Sequence, residues 1–316
     1  MRLWQRSMIA CARSGRMKAW AQGARAGTAL AERFVAGPDV ACGVRRAAAL
    51  IGEGIRSSLF YLGEYLDDPH VVERNVREKI GIAQALGRAG LDVHVSVDPT
   101  QIGYSIHPDL ARSNAERIAE AVAKAAGGKL GVHMLMIDME DESLVDATVS
   151  LHDELAASGL PVGLTLQAYL RRTQSDLARQ IARGASVRLV RGAFAAGDRH
   201  AFTSEAEIKA NYRSLMEMML SRKAVDSGFY ASIATHDTAL QDHARALAGI
   251  GDGPAYEFEM LLGVRGDVAR SLARAGERVR LYLPFGEDWW PHALRRIGES
   301  PRNGLLLARS LLAGKR

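Results

Sequence analysis

Gly249-Ile-Gly251-Asp-Gly253-Pro254-Ala255-Tyr-Glu-Phe-Glu-Met260 decides between the two parallel-sheet architectures open to this chain. A doubly wound open sheet would carry a glycine-rich phosphate turn directly after an early strand. Here the glycines precede a strand near the end of the chain, and Pro254 follows them, so the segment reads as a loop. Outward from it, short apolar and mostly β-branched runs recur at Ser57–Leu62, Val93–Val97, Gly131–Ile137, Val162–Gln167, Ser186–Val190, Tyr230–Ala234, Ala255–Met260 and Val279–Leu283. Stretches of 3.6-residue apolar periodicity separate them, among them Ala111–Ala126, Ser143–Ser158, Ile208–Leu220 and Thr238–Ala248. Regular alternation of buried strands and helices predicts a parallel sheet, and eight such units predict an α/β fold of the (β/α)8 TIM-barrel type.

The 316 residues are 47% hydrophobic and 24% charged, which suffices for a large core and suits an ordinary globular protein. No low-complexity tract or Pro/Ser-rich linker divides the chain. Residues 1–50 are expected to form a helical segment packed on a barrel of residues 51–316. The net charge is +5, and much of the excess lies in residues 1–35, where Arg2, Arg6, Arg13, Arg16, Lys18, Arg25 and Arg33 face Glu32 alone. The favoured reading is a basic helix on the domain, with membrane contact as the next choice. No apolar run is long enough to span a bilayer. Cys11 and Cys42 offer neither a disulfide framework nor metal-ligand spacing, which is consistent with a reducing cytoplasm.

Barrel chemistry gathers where strands end. Polar residues stand at nearly every predicted strand end: Glu64, Asp98 and Gln101, Asp138 and Glu140, Gln167 and Tyr169, Arg191, Thr235-His236-Asp237, Glu259 and Tyr282. One or two would be ordinary helix caps, whereas a full ring implies a polar mouth that grips a ligand. Near the C-terminus, Arg295-Arg296-Ile-Gly-Glu299 sets two guanidinium forks on one helical turn with a carboxylate on the next. Paired forks braced by an acid suit a small carboxylate. Arg188, between Val187 and Leu189, needs an anionic or hydrogen-bonding partner if its strand is buried. There is no HExxH and no Cys/His cluster, so no metal site is expected.

In this order, Tyr61-Leu-Gly-Glu64, Ile137-Asp-Met-Glu140, Leu166-Gln-Ala-Tyr169, Val187-Arg-Leu-Val-Arg-Gly-Ala193, Ala234-Thr-His-Asp237, Tyr256-Glu-Phe-Glu-Met-Leu261 and Arg295-Arg296-x-x-Glu299 resemble the proline dehydrogenase family. The resemblance implies a distorted barrel with a final helix over its mouth and noncovalent FAD. It implies hydride transfer from L-proline to flavin N5, giving 1-pyrroline-5-carboxylate, with electrons passed to a quinone or another acceptor. By the same resemblance, Asp138 and Arg188 are catalytic. Met139, Gln167, Arg191, Gly192, Ala193, Thr235 and His236 contact FAD. Arg295, Arg296, Glu299, Tyr282, Asp98 and Glu64 line the substrate site. A separate pyrroline-5-carboxylate dehydrogenase would take the product. A cytoplasmic location is expected, with peripheral contact at the inner membrane face allowed for, and no nucleic-acid partner.

Three positions depart from the family pattern. Phe194 and His292 stand where tyrosines are common, and Asp98 stands where a lysine usually meets the substrate carboxylate. Two unit charges about 5 Å apart interact by roughly 3 kcal/mol at an effective dielectric near 20. A sign reversal could thus weaken proline binding on the order of a hundredfold. Three explanations are open. Asp98 turns away or pairs with a protonated His292; or the substrate is another cyclic imino acid or amine; or the chain is a flavin-binding homologue that turns over poorly or not at all. A barrel lyase or aldolase is disfavoured, because no strand end offers a Schiff-base lysine.

Overall fold

The computed structural model describes residues 33–63, 66–194, 196–249 and 255–287, together with Trp289 and His292. Eight strands alternate with helices: β1 (Ile55–Tyr61), β2 (His94–Val97), β3 (Met134–Ile137), β4 (Val162–Gln167), β5 (Ser186–Val190), β6 (Tyr230–Ala234), β7 (Tyr256–Leu261) and β8 (Val279–Phe285). All neighbours pair in parallel, and β8 returns to β1 to close the barrel. The expected (β/α)8 fold is therefore present. Three strands have the bounds read from the sequence, and β3 is the one that differs most. It begins only at Met134 because the residues before it are committed elsewhere: Val132 N–H donates to Asp92 Oδ1, and His133 Nδ1 accepts from Val93 N–H.

Nine helices of the described residues surround the sheet: α1 (Val40–Ile51), α2 (Pro69–Arg88), α3 (Pro108–Ala126), α4 (Val145–Ala157), α5 (Thr173–Ala182), α6 (Glu205–Met219), α7 (Arg222–Ser227), α8 (Thr238–Ala248) and α9 (Gly266–Arg274). Their starts carry local signals. Asp68 caps α2 through the His70 amide ahead of Pro69 at the first turn, and Asp237 caps α8 through the Ala239 and Leu240 amides. Helix α1 packs on β1, β8 and α2. It fills the outer wall at the β8–β1 seam, where the last helix of a regular barrel would lie. The final helix expected over the mouth falls outside the described residues, as does the basic segment up to residue 32.

The barrel interior departs from the usual filling of branched apolar side chains. Apolar residues such as Leu59, Val95, Leu135, Val187, Ile233 and Phe258 are buried. Their alternate neighbours, among them Ser58, Ser96, Arg188, Glu257, Glu259 and Arg280, bond one another across the lumen. A lower layer centres on Arg280, which donates to Glu257 (2.7 Å), Asp92 (2.8 Å) and the Ser57 carbonyl (2.8 Å). Ser232 adds a hydrogen bond to Glu257. Both Arg280 and Glu257 are fully buried. Removing one member of such a pair strands the other charge in a low dielectric. Arg280→Met should cost about 3–5 kcal/mol in denaturant unfolding, and adding Glu257→Leu should recover most of that loss.

Candidate active site

An upper ionic layer lies nearer the strand C-termini and is built on Arg188 of β5. Its Nε and Nη2 donate to the two oxygens of Glu259 on β7, both at 2.7 Å. Nη1 donates to Asp138 at 2.6 Å, while Nη2 also reaches Ser96 (3.2 Å) and Ser58 (3.4 Å). Burial would lower the guanidinium's pKa, but the Glu259 and Asp138 charges outweigh it and hold Arg188 protonated. Burial pushes Glu259 upward against the pull of Arg188. His94, whose Nδ1 lies 2.9 Å from Ser58 Oγ, is driven well below its usual pKa by burial and by the cations Arg280 and Arg188. It stays neutral beneath the site.

Asp138, just past β3, gathers three donors. Arg188 and Thr165 bond Oδ1, and the Tyr282 phenol donates to Oδ2 at 2.9 Å. Burial, reinforced by the neighbouring Asp138 charge, holds the phenol's pKa well above its usual value, so it serves as a donor. The Tyr282 ring lies 5.3 Å from both the Phe60 ring and the Arg188 guanidinium carbon. Asp138 thus bonds directly to both Arg188 and Tyr282, joining the three into one group.

The other predicted residues vary in their surroundings. Gln167, at the end of β4, donates through Nε2 to the Met139 and Glu140 carbonyls. Its buried Oε1 has no hydrogen-bond partner among the described residues. The Tyr169 hydroxyl is likewise buried without one, and burial, with Glu142 and Asp141 nearby, pushes it up to about 12. Gly192 has φ +98°, and a Cβ there would lie 2.1 Å from Tyr169 Cδ1. Close packing of that ring already requires the glycine. Arg191 pairs with exposed Glu205, and Ala193 follows in the same exposed loop. Thr235 Oγ1 accepts the Asp237 amide, and His236 Nε2 accepts the Leu261 amide at 3.0 Å. One nitrogen of that imidazole is therefore spent on joining β6 to β7.

Asp98 is half-buried after β2. Its backbone amide donates to Gln101 Oε1, and Gln101 Nε2 donates to the Tyr61 and Gly63 carbonyls. Thr100 is anchored by its amide and hydroxyl to Glu140. The loop carrying Asp98 is thereby held from two sides. Glu64, Arg295, Arg296 and Glu299 lie outside the described residues; His292 is buried.

The structure adds two contributors that sequence reasoning misses. Glu259 stands at a strand end with no role assigned to it, although Glu257-Phe-Glu259 places two acids on one face of β7. Lys79 of α2 draws no attention in the sequence. It shares the buried stripe of Val72, Val76, Ile82 and Ala83, is wholly buried, and has no hydrogen-bond partner for Nζ among the described residues. Burial lowers its pKa to about 7, with Asp98, Asp138 and Glu78 pulling it back up. Between that value and the 10.5 of an ordinary lysine, Lys79 binds fewer protons folded than unfolded, so its contribution to stability grows as pH rises. Wild-type minus Lys79→Met unfolding free energies, measured by urea titration across this window, should climb by up to ~1.4 kcal/mol per pH unit. A flat difference would contradict the burial.

Among the described residues, no cluster of His, Cys, Asp and Glu could hold a metal ion, and no helix is long and apolar enough to cross a membrane. The chain matches the Proline dehydrogenase family over residues 44–303. It is 36% identical over 295 residues to Proline dehydrogenase of Deinococcus radiodurans, covering 90% of this chain and 91% of that one. It is 31% identical over 278 residues to Proline dehydrogenase 2 of Bacillus subtilis, with 86% and 87% covered. Similar folds occur in proline utilization A (PutA) of Bdellovibrio bacteriovorus inactivated by N-propargylglycine (TM-score 0.74, 20% identity, 86% of this chain) and in PutA of Corynebacterium freiburgense (0.71, 19%, 98%). This chain spans about a third of those PutA chains, 32% and 34%. A family match over most of the chain and relatives alike along nearly their whole length, on a closed barrel, agree: the chain belongs to the proline dehydrogenase family.

Proposed function

We propose that this chain oxidises L-proline to 1-pyrroline-5-carboxylate at the C-terminal mouth of the barrel, with FAD as cofactor and a quinone as electron acceptor. The observation that carries the reading is the cross-barrel clamp on Arg188, set opposite Thr165 in the β4–β5 register and two residues below the open acceptor of Gln167. The residues present fit a flavin. Gln167 Oε1 supplies a buried acceptor suited to a ring N–H, and the Tyr169 hydroxyl supplies a buried donor. Met139, Thr235 and the Gly192–Ala193 backbone border the same strand ends. His236 and Arg191 would hold the cofactor only through the groups that Leu261 and Glu205 leave available.

When bound, FAD supplies the hydride acceptor for the ring carbon beside the proline nitrogen. The protein's part is electrostatic. Among the described residues Arg188 gives one Nη1 N–H to Asp138, and the second would face negative charge developing on a ligand. Asp138 and Glu259 keep that fork from turning, and Tyr282 closes one side. Arg295, Arg296 and Glu299 are assigned to the substrate carboxylate and amine, and Glu64 to bracing the first arginine. A separate dehydrogenase would consume the product.

The charge at Asp98 favours a second reading, in which another cyclic imino acid or amine is the substrate. The test is anaerobic addition of L-proline and a panel of cyclic amines to the purified yellow protein, with the pyrroline product trapped by o-aminobenzaldehyde. Bleaching by proline with product formation is expected. Bleaching only by another amine supports the second reading, and a colourless protein overturns both. Arg188→Lys keeps the charge but loses the two-pronged bond, and should slow flavin reduction roughly a hundredfold in stopped flow.

A further inference from the structure

The Lys79 ammonium is an anomaly on helix α2. Its neighbours on the buried stripe are mostly apolar, and a methionine would fill the same space without burying an amine that lacks a hydrogen-bond partner among the described residues. The side chain nevertheless runs to the strand C-termini. Nζ lies 5.4 Å from the Phe60 ring centroid and 5.8 Å from that of Tyr61, at the end of β1. Asp98 after β2 and Asp138 after β3 are the two carboxylates whose charges act on it most strongly. Two aromatic rings within 6 Å and the pull of two carboxylate charges suit a cation that is needed as a cation. On the same helix face one turn earlier, Asn75 Oδ1 is also buried without a partner among the described residues.

We propose that Lys79 is a substrate-positioning residue: its ammonium, delivered from α2 instead of a strand end, offsets the Asp98 carboxylate and lets this side of the mouth accept the carboxylate of an amino-acid substrate. The inference rests on the reading of the mouth as an amino-acid site. It explains how a chain with an acid after β2 avoids repelling an anionic ligand. A unit charge removed at a distance of about 6 Å in a site of effective dielectric near 20 changes anion affinity on the order of tenfold to a hundredfold. A neutral ligand is spared.

The experiment uses the flavin-loaded full chain and three variants: Lys79→Met, Lys79→Arg, and Lys79→Met combined with Asp98→Lys. Calorimetry measures binding of tetrahydrofuran-2-carboxylate, an anion that cannot be oxidised at nitrogen, and of neutral tetrahydrofurfuryl alcohol. Steady-state kinetics with proline run alongside, and Tm is recorded for each protein. Lys79→Met should weaken the anion at least tenfold and raise KM by a similar factor. It should change kcat and neutral-ligand affinity less than threefold, with Tm unchanged or higher. Lys79→Arg should retain most of the anion affinity, and the combined variant, which moves the charge to the strand end, should restore it. Equal loss of both ligands, no loss of either, or no recovery in the combined variant overturns the proposal. If Lys79→Met does not fold, Lys79→Gln replaces it with the same expected losses, since it keeps polarity and most of the length without the charge. A wild type that ignores proline yet shows the Lys79-dependent preference for the anion sinks the proline reading alone. Proline oxidation insensitive to Lys79→Met sinks the lysine alone.

Discussion

A guanidinium sealed inside a barrel must be answered from every side, and the answer given to Arg188 organises the mouth. Glu259 takes two of its N–H groups, Asp138 takes another, and Ser58 and Ser96 approach from the opposite wall. Because these partners come from β7, β3, β1 and β2, one side chain fixes the spacing of strands that are not neighbours. Asp138 passes the constraint on to Thr165 and Tyr282. The proposed chemistry would thus share its atoms with the architecture, and a change at either carboxylate disturbs the strand spacing that Arg188 sets.

The lower layer repeats the device further from the strand C-termini. Arg280, Glu257 and Asp92 fill the part of the lumen where large aliphatic side chains usually interlock. Ion pairs in such a place add little net stability over apolar packing, but they are directional and tolerate no slip in register. Two stacked polar layers therefore hold the strands in a definite stagger below a mouth whose groups must meet within a few tenths of an ångström.

The strands are legible because buried parallel strands read as short β-branched runs, and the bounds of β4, β5 and β6 agree without change. β3 reads too long, since the ladder-like run from Gly131 hides hydrogen bonds made by Asp92 and His133 side chains. Arg188 is noticeable because a charge between Val187 and Leu189 breaks an apolar strand. The same logic, applied to Glu257, Glu259 and Arg280, reveals both ionic layers. Lys79 escapes because lysines on helices are ordinarily solvated. Its spacing of three from Val76 and from Ile82 is the available signal. For His236 and Arg191 a sequence cannot tell a ligand contact from a bond to a neighbouring loop, and the distinction lies in Leu261 and Glu205.

The seam between β1 and β8 carries a consequence for how the molecule is made. Arg280 donates to the Ser57 carbonyl across 223 residues of sequence, and α1 covers the same join from outside. On the ribosome, the early strands must wait with one edge unsatisfied until the last has emerged. Closure is then a late, long-range event, and the nascent sheet is exposed to wrong pairing for most of synthesis. Fastening a barrel with its first and final strands thus leaves unpaired strand edges open to misassociation until synthesis is nearly done.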